Sequence, residues 1–315
     1  MYKYLATIIF IALISACNTQ AYTELPSTTL VSSSAVISPT TTIRTAATYS
    51  PTLRTLPTIT PTFTPQPTLT TGEQDIHVRE LLKTNAGCQL PCWWGISPGK
   101  TSWKDAEHFL RYLGATIGQT ELETGATLHW AKLQGNSSYI SPGFIEGEVQ
   151  EGIVDTIFVG GNHSGTQNQS DFESMWESYS PKQIVTKYGV PSRVLLDTTG
   201  ETGLSPTGAN GYTIWIIYDQ LGFMIRFVGF VADLPVYHFC PELQKGADDI
   251  SHINLTLQYP DNPLPLEWDD AILSTQPSRA KSIQEAAGIS VDEFYRLFTQ
   301  TDEPACFDSP HDIWR

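Results

Sequence analysis

Residues 212–231 read YTIWIIYDQLGFMIRFVGFV, and this stretch predicts a β-hairpin. Both halves are rich in aromatic and β-branched residues, which favour strands. The polar segment 219–222 between them supplies turn residues and ends in glycine. We therefore predict antiparallel strands at 212–218 and 223–231, with an antiparallel sheet as the organising element of the fold.

The segments on both sides of this hairpin repeat its pattern of short apolar runs separated by Gly, Asn, Ser and Pro. Such runs are typical of strands joined by turns. The first four runs, at 115–120, 127–133, 144–150 and 153–159, predict an antiparallel meander before the hairpin. Two further strands are predicted at 192–197 and 253–258.

A helix precedes each group of strands. Ser102, with Asp105 three residues later, is a typical N-cap, and the apolar helical face that follows stops at Gly114. Ser180-Pro181 is a second helix start. The predicted class is α+β, with tandem helix-plus-antiparallel-meander units, helices packed on one face of the sheet, and a C-terminal helical pair.

We divide the chain into four parts: 1–16 a lipoprotein signal peptide, 17–72 a lipidated cysteine with a disordered tether, 73–165 a first α+β unit, and 166–315 a second α+β unit. The second unit ends in the helical pair. Ser278 is expected to cap the first of these helices and Gly288 to end it. Ser290 with Glu293 forms a capping box before the second.

The N-terminus resembles a bacterial lipoprotein signal. About ten apolar residues lie between Lys3 and the Ile-Ser-Ala segment that precedes Cys17, whereas a membrane-spanning helix needs roughly 20. The resemblance implies export, acylation of Cys17 and a lipid anchor on the outer face of the bacterial cell membrane or envelope. The alternative is an ordinary signal peptide in which Cys17 has no special role.

Thr, Ser and Pro dominate the segment after Cys17, as in 57–67. A segment with so few apolar side chains cannot bury a core, so we expect an extended, disordered tether. As a flexible coil its 55 residues would span about 40 Å. The alternatives are a Pro-rich ligand or an O-glycosylated stalk.

The chain is strongly acidic, with a net charge of −15. Three of the 18 basic and one of the 33 acidic residues precede residue 73, which leaves 15 basic and 32 acidic residues and a net charge of −17. Such a surface repels phosphate backbones and anionic headgroups, so nucleic acid is not an expected partner. The sequence has no DxDxDG-type calcium loop, and we predict no cofactor and no metal.

Four cysteines remain besides Cys17: Cys88, Cys92, Cys240 and Cys306. An even number in an exported chain predicts disulfides. Three pairings are possible, and we favour Cys88 with Cys92 and Cys240 with Cys306. A zinc site, with His238 near Cys240, is the competing interpretation.

Two segments, SPGKTSWKDAEHFLRYLGA (97–115) and SPKQIVTKYGVPSRV (180–194), resemble a Gly-x-Thr, helix, Leu-Gly-x-Pro pattern. It is the pattern of the small outer-membrane assembly lipoproteins and of β-lactamase-inhibitor-like repeats. The resemblance implies helices packed on an antiparallel sheet and a binding role. The block CQLPCWWGISPG (88–99) also resembles a block of uncharacterised exported lipoproteins.

Several catalytic motifs are incomplete or missing in the sequence. The Gly-Lys-Thr of 99–101 lacks the leading glycine of a phosphate loop, since position 94 is tryptophan. There is no HExxH, and no SxxK with its companion motifs. Asp269 and Asp270 are adjacent and cannot flank one glycosidic bond from a helix. His129, in a strand, is best interpreted as a structural histidine.

Trp93 and Trp94 are the remaining candidates for a binding surface, since an exposed indole can stack on a sugar or anchor a protein. The alternative is burial of both rings against the Cys88 and Cys92 turn.

The sequence leaves two functions open. The first is a membrane-anchored binding or scaffold module for an envelope protein or cell-wall glycan. The second is a tethered hydrolase of wall glycan or peptide, and the sequence favours the non-enzymatic function.

Overall fold

The computed structural model describes most of the chain after residue 68. The described ranges are 69–122, 125–133, 140–146, 151–162, 169–199, 210–231, 235–241, 243, 250–262, 279–300 and 305–314. The predicted signal peptide, Cys17 and nearly all of the predicted tether lie outside them, as do Asp269, Asp270 and Ser278. The predicted cap at Ser278 is wrong, because Ser282 caps the first C-terminal helix, which ends at Gly288 as predicted.

The described residues contain helices and a large antiparallel sheet, which confirms the predicted α+β class. The helices are α1 (Thr71–Thr84), α2 (Trp103–Tyr112), α3 (Gln169–Trp176), α4 (Pro181–Tyr188), α5 (Ile283–Ala287) and α6 (Val291–Gln300). The strands are β1 (Thr116–Glu121), β2 (Thr127–Lys132), β3 (Ile140–Glu146), β4 (Val154–Asn162), β5 (Arg193–Thr199), β6 (Asn210–Tyr218), β7 (Phe223–Val231), β8 (Val236–Phe239), β9 (His252–Gln258), β10 (Lys281–Ser282) and β11 (Phe307–Pro310).

Helix starts follow the capping chemistry of the sequence. The Ser102 side chain accepts a hydrogen bond from the Asp105 backbone N–H at 3.1 Å, and Ser180 caps α4 with Pro181 in its first turn. The predicted capping box before α6 is present: the Ser290 N–H donates to the Glu293 carboxylate at 2.8 Å, and the Glu293 N–H donates back to the Ser290 hydroxyl at 3.2 Å.

Among the described residues, nine strands form one continuous sheet in the order β1-β2-β3-β4-β9-β7-β6-β5-β10. Every neighbouring pair is antiparallel. The β6–β7 hairpin pairs Tyr218 with Phe223, as predicted from the quoted stretch. Strands β8 and β11 form a separate two-stranded ribbon, which the sequence did not predict.

The two faces of the sheet differ in what packs on them. On the helix face, alternate strand residues such as Ile157, Val159 and Leu255 join apolar residues from all six helices in one core cluster. On the opposite face, here called the second face, two small separate clusters form. They are Trp215, Ile217 and Met224, and Ala126, Ile145 and Phe158.

The structure contains the two disulfides that the sequence favoured. Cys88 is bonded to Cys92, and Cys240 is bonded to Cys306. The second bridge lies beside the ends of β8 and β11, where Phe239 pairs with Phe307. The bridge therefore joins β8 and β11 covalently at one end of the ribbon.

In the part of the chain that the structure describes, no helix combines the length and apolar character needed to cross a bilayer.

Candidate ligand-binding groove

Strand register places two rows of side chains next to each other on the second face. The first, the apolar row, crosses four pairs of strands through directly opposed residues. Its members are Trp130, Gly143, Phe158, Thr256 and Met224. It contains three large apolar side chains, and a glycine lies between two of them, so the row has a gap between Trp130 and Phe158.

The second row, the polar row, lies one pleat further along the same face. Ser141 pairs with Gly160, Gly160 with Asn254, and Asn254 with Arg226. Lys132 lies two residues beyond Trp130 on β2 and therefore on the same face. The polar row thus consists of Lys132, Ser141, Asn254 and Arg226, whose side chains each carry a hydrogen-bond donor, with Gly160 in its middle.

Each row has a glycine in its middle, Gly143 in the apolar row and Gly160 in the polar row, and the missing side chains leave a trough there. A Cβ built on Gly160 would lie 3.1 Å from the Asn254 Oδ1, so a side chain there would crowd that amide. A Cβ built on Gly143 would make only ordinary contacts, the nearest at 3.6 Å. From β2 to β7 the trough crosses four strand spacings, or about 19 Å.

The trough holds a cavity of about 470 Å³, here called the groove. This volume lies within the range of small-molecule sites. Members of both rows line it, together with Leu128 and residues of the neighbouring strand positions. The groove lies between the two small apolar clusters of the second face, since Phe158 belongs to one and Met224 to the other.

Trp130 is the aromatic side chain of the groove that a ligand can reach. It is 45% exposed, whereas Phe158 and Met224 are buried. Its ring lies across Gly118 of β1, because a side chain at Gly118 would overlap the indole. The glycine therefore positions the ring and leaves much of it accessible for stacking.

The charge of the groove is opposite to that of the chain. Lys132 and Arg226 line it, and none of the described lining residues is a carboxylate. Lys132 is exposed and Arg226 is half-buried. In a chain of net charge −15, this is a local concentration of positive charge beside an accessible aromatic ring. The described part of the groove has the size and lining of a ligand site, and it contains no carboxylate pair of the kind that a glycan hydrolase uses.

Trp93 and Trp94 do not form an exposed surface in this structure. They are 0% and 3% exposed, and their ring centroids are 4.9 Å apart in a stacked pair. Trp93 also stacks with Trp176 and contacts Tyr179. Burial, the alternative that the sequence left open, is therefore what the structure shows, and a binding surface at this pair is not available.

Hydrogen bonds of the Asn85 side chain hold the segment after α1 in the turn that buries these rings. Its side-chain amide donates to the backbone carbonyl of Cys92 at 2.8 Å and to that of Cys88 at 3.1 Å, and its Oδ1 accepts from the Trp94 N–H at 3.0 Å. Trp94 itself has a φ of 53°, in the left-handed region. One buried amide thus holds the whole turn that contains the Cys88 disulfide.

His129 is structural, as predicted. It is buried on the helix face, its Nε2 lies 2.6 Å from a Glu146 carboxylate oxygen, and its ring stacks on Trp103 at 3.8 Å. This arrangement fastens α2 to β2 and β3. It lies on the opposite side of the sheet from the groove, and it gives no catalytic arrangement with a nucleophile among the described contacts.

Two other sequence candidates have structural explanations. Gly99, in the Gly-Lys-Thr segment, has a φ of +71° and packs against Tyr259. The backbone conformation and this close contact explain why residue 99 is a glycine, and a phosphate-binding role is not needed to explain it. His238, Cys240 and Cys306 bring ligand atoms within 4.8 Å of one another. The two sulfurs are joined in a disulfide, however, and a disulfide does not offer the thiolates that zinc requires.

Sequence reasoning missed the groove. Trp130 and Lys132 occur at alternate positions of a predicted strand, which places them together on one face. Their link to Asn254 and Arg226 depends on the pairing of β4 with β9, two strands far apart in sequence. The glycines at 143 and 160 were a usable signal, because a glycine inside a strand marks a close approach or a missing side chain.

No family model, no curated protein and no solved structure matches this chain. Its function is therefore inferred from the chemistry of the groove and of the N-terminal sequence.

Proposed function

We propose that this protein is a membrane-anchored extracytoplasmic lipoprotein that acts as a binding module for an envelope partner, and that the groove is its binding site. The observation that carries the proposal is the cavity of about 470 Å³ with Trp130 accessible at its edge. Pockets of this size with a few convergent polar groups are the usual form of ligand sites.

The proposed anchor rests on sequence. Residues 1–16 have the charged start, apolar run and small residues of a lipoprotein signal, and Cys17 follows them directly. The Thr/Ser/Pro-rich segment after Cys17 is the proposed tether, which would hold the binding module clear of the lipid surface.

We also propose that the fold consists of two helix-plus-meander units joined edge to edge. Strand order supports this proposal, because β1-β2-β3-β4 and β5-β6-β7-β9 each follow one another in the sheet and meet at β4 and β9. Helix α2 precedes the first group and α4 the second, while α5 and α6 add a C-terminal helical pair to the same core. The groove crosses the junction of the two units.

The binding proposal is tested by site-specific photocrosslinking in the intact, membrane-bound chain. A photoreactive benzoylphenylalanine replaces Ser141, an exposed groove residue, or Ile76, which is 71% exposed on α1. Both variants are irradiated in envelope vesicles of the source organism, and adducts are identified by mass spectrometry. We expect one recurrent adduct from position 141 and none from position 76.

The same adduct should be lost when Gly143→Leu fills the trough. Equal crosslinking at both positions, or adducts at 141 that Gly143→Leu leaves unchanged, would remove the groove as the binding site. The anchor is tested separately with Cys17→Ser, which should release the protein from the membrane fraction. A variant that stays anchored would contradict lipidation at Cys17.

A further inference from the structure

The groove divides its polar and apolar chemistry between its two rows. The apolar row offers the accessible face of Trp130 at one end, with Phe158 two strands away and Met224 at the other end. The polar row offers an ammonium from Lys132, a hydroxyl from Ser141, an amide from Asn254 and a guanidinium from Arg226. A ligand that lies along the groove therefore contacts both rows at once.

Donors outnumber acceptors in the polar row. Lysine and arginine side chains can only donate, and serine and asparagine can donate as well as accept. The groups that such a row binds best are carboxylate, sulfonate and phosphate oxygens, because hydrogen bonds between ionised partners are the strong ones.

We infer that the groove binds a small organic anion that carries a flat apolar group, with the ring or chain on the apolar row and the anionic group on the polar row. This inference rests on the groove being the binding site proposed above. It adds the chemical class of the ligand and its orientation. The net charge of −15 repels anions at long range, so selection for an anion has to come from the groove itself.

Two fluorescent probes of similar shape test the charge requirement. Anilinonaphthalene sulfonate carries an anionic group, and phenylnaphthylamine has the same ring system without it. Each is titrated into the full-length chain, with energy transfer from tryptophan as the readout. The variants are Trp130→Ala, Lys132→Gln and, as a matched control, Lys104→Gln, an exposed lysine on α2 of the helix face.

We expect the sulfonate probe to bind one site per chain and the neutral probe to bind it more weakly. Lys132→Gln should weaken the sulfonate by roughly tenfold, the size of one charged hydrogen bond, and leave the neutral probe unchanged. Trp130→Ala should weaken both probes, and Lys104→Gln should weaken neither. Added salt should weaken the sulfonate alone.

Other outcomes separate the two proposals. If Trp130→Ala weakens both probes but Lys132→Gln affects neither, the groove binds apolar molecules without selecting an anion, and the present inference is wrong. If Trp130→Ala has no effect on either probe, or neither probe binds, the present inference is wrong, and crosslinking from position 141 decides separately whether the groove is the binding site. Trp130→Phe keeps an aromatic ring, and near-ultraviolet circular dichroism of each variant shows that folding is intact.

Discussion

The two faces of the nine-stranded sheet are built from the same strands but serve different purposes. The helix face packs against all six described helices in one continuous core, which leaves little freedom to change a side chain. The second face carries two small clusters with a glycine-lined groove between them. Alternation along a strand thus separates the packed core from the proposed binding groove, since neighbouring residues belong to different faces.

The largest expected difference between the faces is between two tryptophans. Trp176 is fully buried, stacks with Trp93 and contacts the rings of Phe172 and Tyr179, whereas Trp130 is 45% exposed. Trp176→Ala should lower the free energy of unfolding by about 3–5 kcal/mol because it leaves a cavity in the core. Trp130→Ala should lower it by less than about 1.5 kcal/mol.

Denaturant titration of both variants gives these numbers. Equal losses would mean that the second face contributes as much to stability as the helix face, and the comparison would fail.

A smaller effect distinguishes two adjacent glycines of β4. A Cβ on Gly161 would overlap the Trp176 ring on the helix face, whereas a Cβ on Gly160 would lie 3.1 Å from the Asn254 amide in the groove. Gly161→Ala should destabilise the protein by about 1–3 kcal/mol through overpacking. Gly160→Ala should change stability by less than about 1 kcal/mol while weakening ligand binding.

Thermal unfolding and probe titration of the two variants separate these effects. A Gly161→Ala protein as stable as the Gly160→Ala protein would show that the core at Trp176 is not tightly packed.

The smallest expected effect concerns a buried carboxylate on the second face, away from the groove. Burial raises the pKa of Asp197 above the ordinary range, and the Arg279 backbone and charge only partly oppose this. Stability should therefore fall as pH rises from about 4, the unfolded pKa, through the higher folded pKa. Asp197→Asn should raise the free energy of unfolding at pH 7 by on the order of 1 kcal/mol.

That gain should disappear below pH 4, where aspartate is protonated in both the folded and unfolded states. Asp261→Asn, at an exposed position, is the control and should show no such gain. A gain at Asp197 that is independent of pH would contradict the account of a buried charge.

Local chemistry made much of the fold predictable. The capping residues Ser102, Ser180 and Ser290 and the 212–231 hairpin all lie where the sequence placed them. Strand β3 was predicted four residues too late, at 144–150 instead of Ile140–Glu146. Its first half contains Pro142 and Gly143, which disfavour strands in isolation; here Pro142 pairs with Val159 of β4, and Gly143 pairs with both β2 and β4.

The site could not be predicted because it has no local motif. Trp93-Trp94 attracted notice as a pair of aromatic residues, but burial depends on tertiary packing with Trp176 and Tyr179, far away in the sequence. The groove in turn joins residues from β2, β3, β4, β9 and β7, whose order in the sheet differs from their order in the chain. Only the register brings Lys132 and Arg226 to the same trough.

The central claim is that the accessible recognition surface is the groove and not the Trp93-Trp94 pair. Hydroxyl-radical footprinting of the full-length chain, with oxidation of each tryptophan measured by mass spectrometry, tests it most directly. We expect Trp130 to be oxidised much faster than Trp93 and Trp94, and bound anilinonaphthalene sulfonate to slow oxidation at Trp130 alone. Rapid oxidation of Trp93 or Trp94 together with a protected Trp130 would contradict the account.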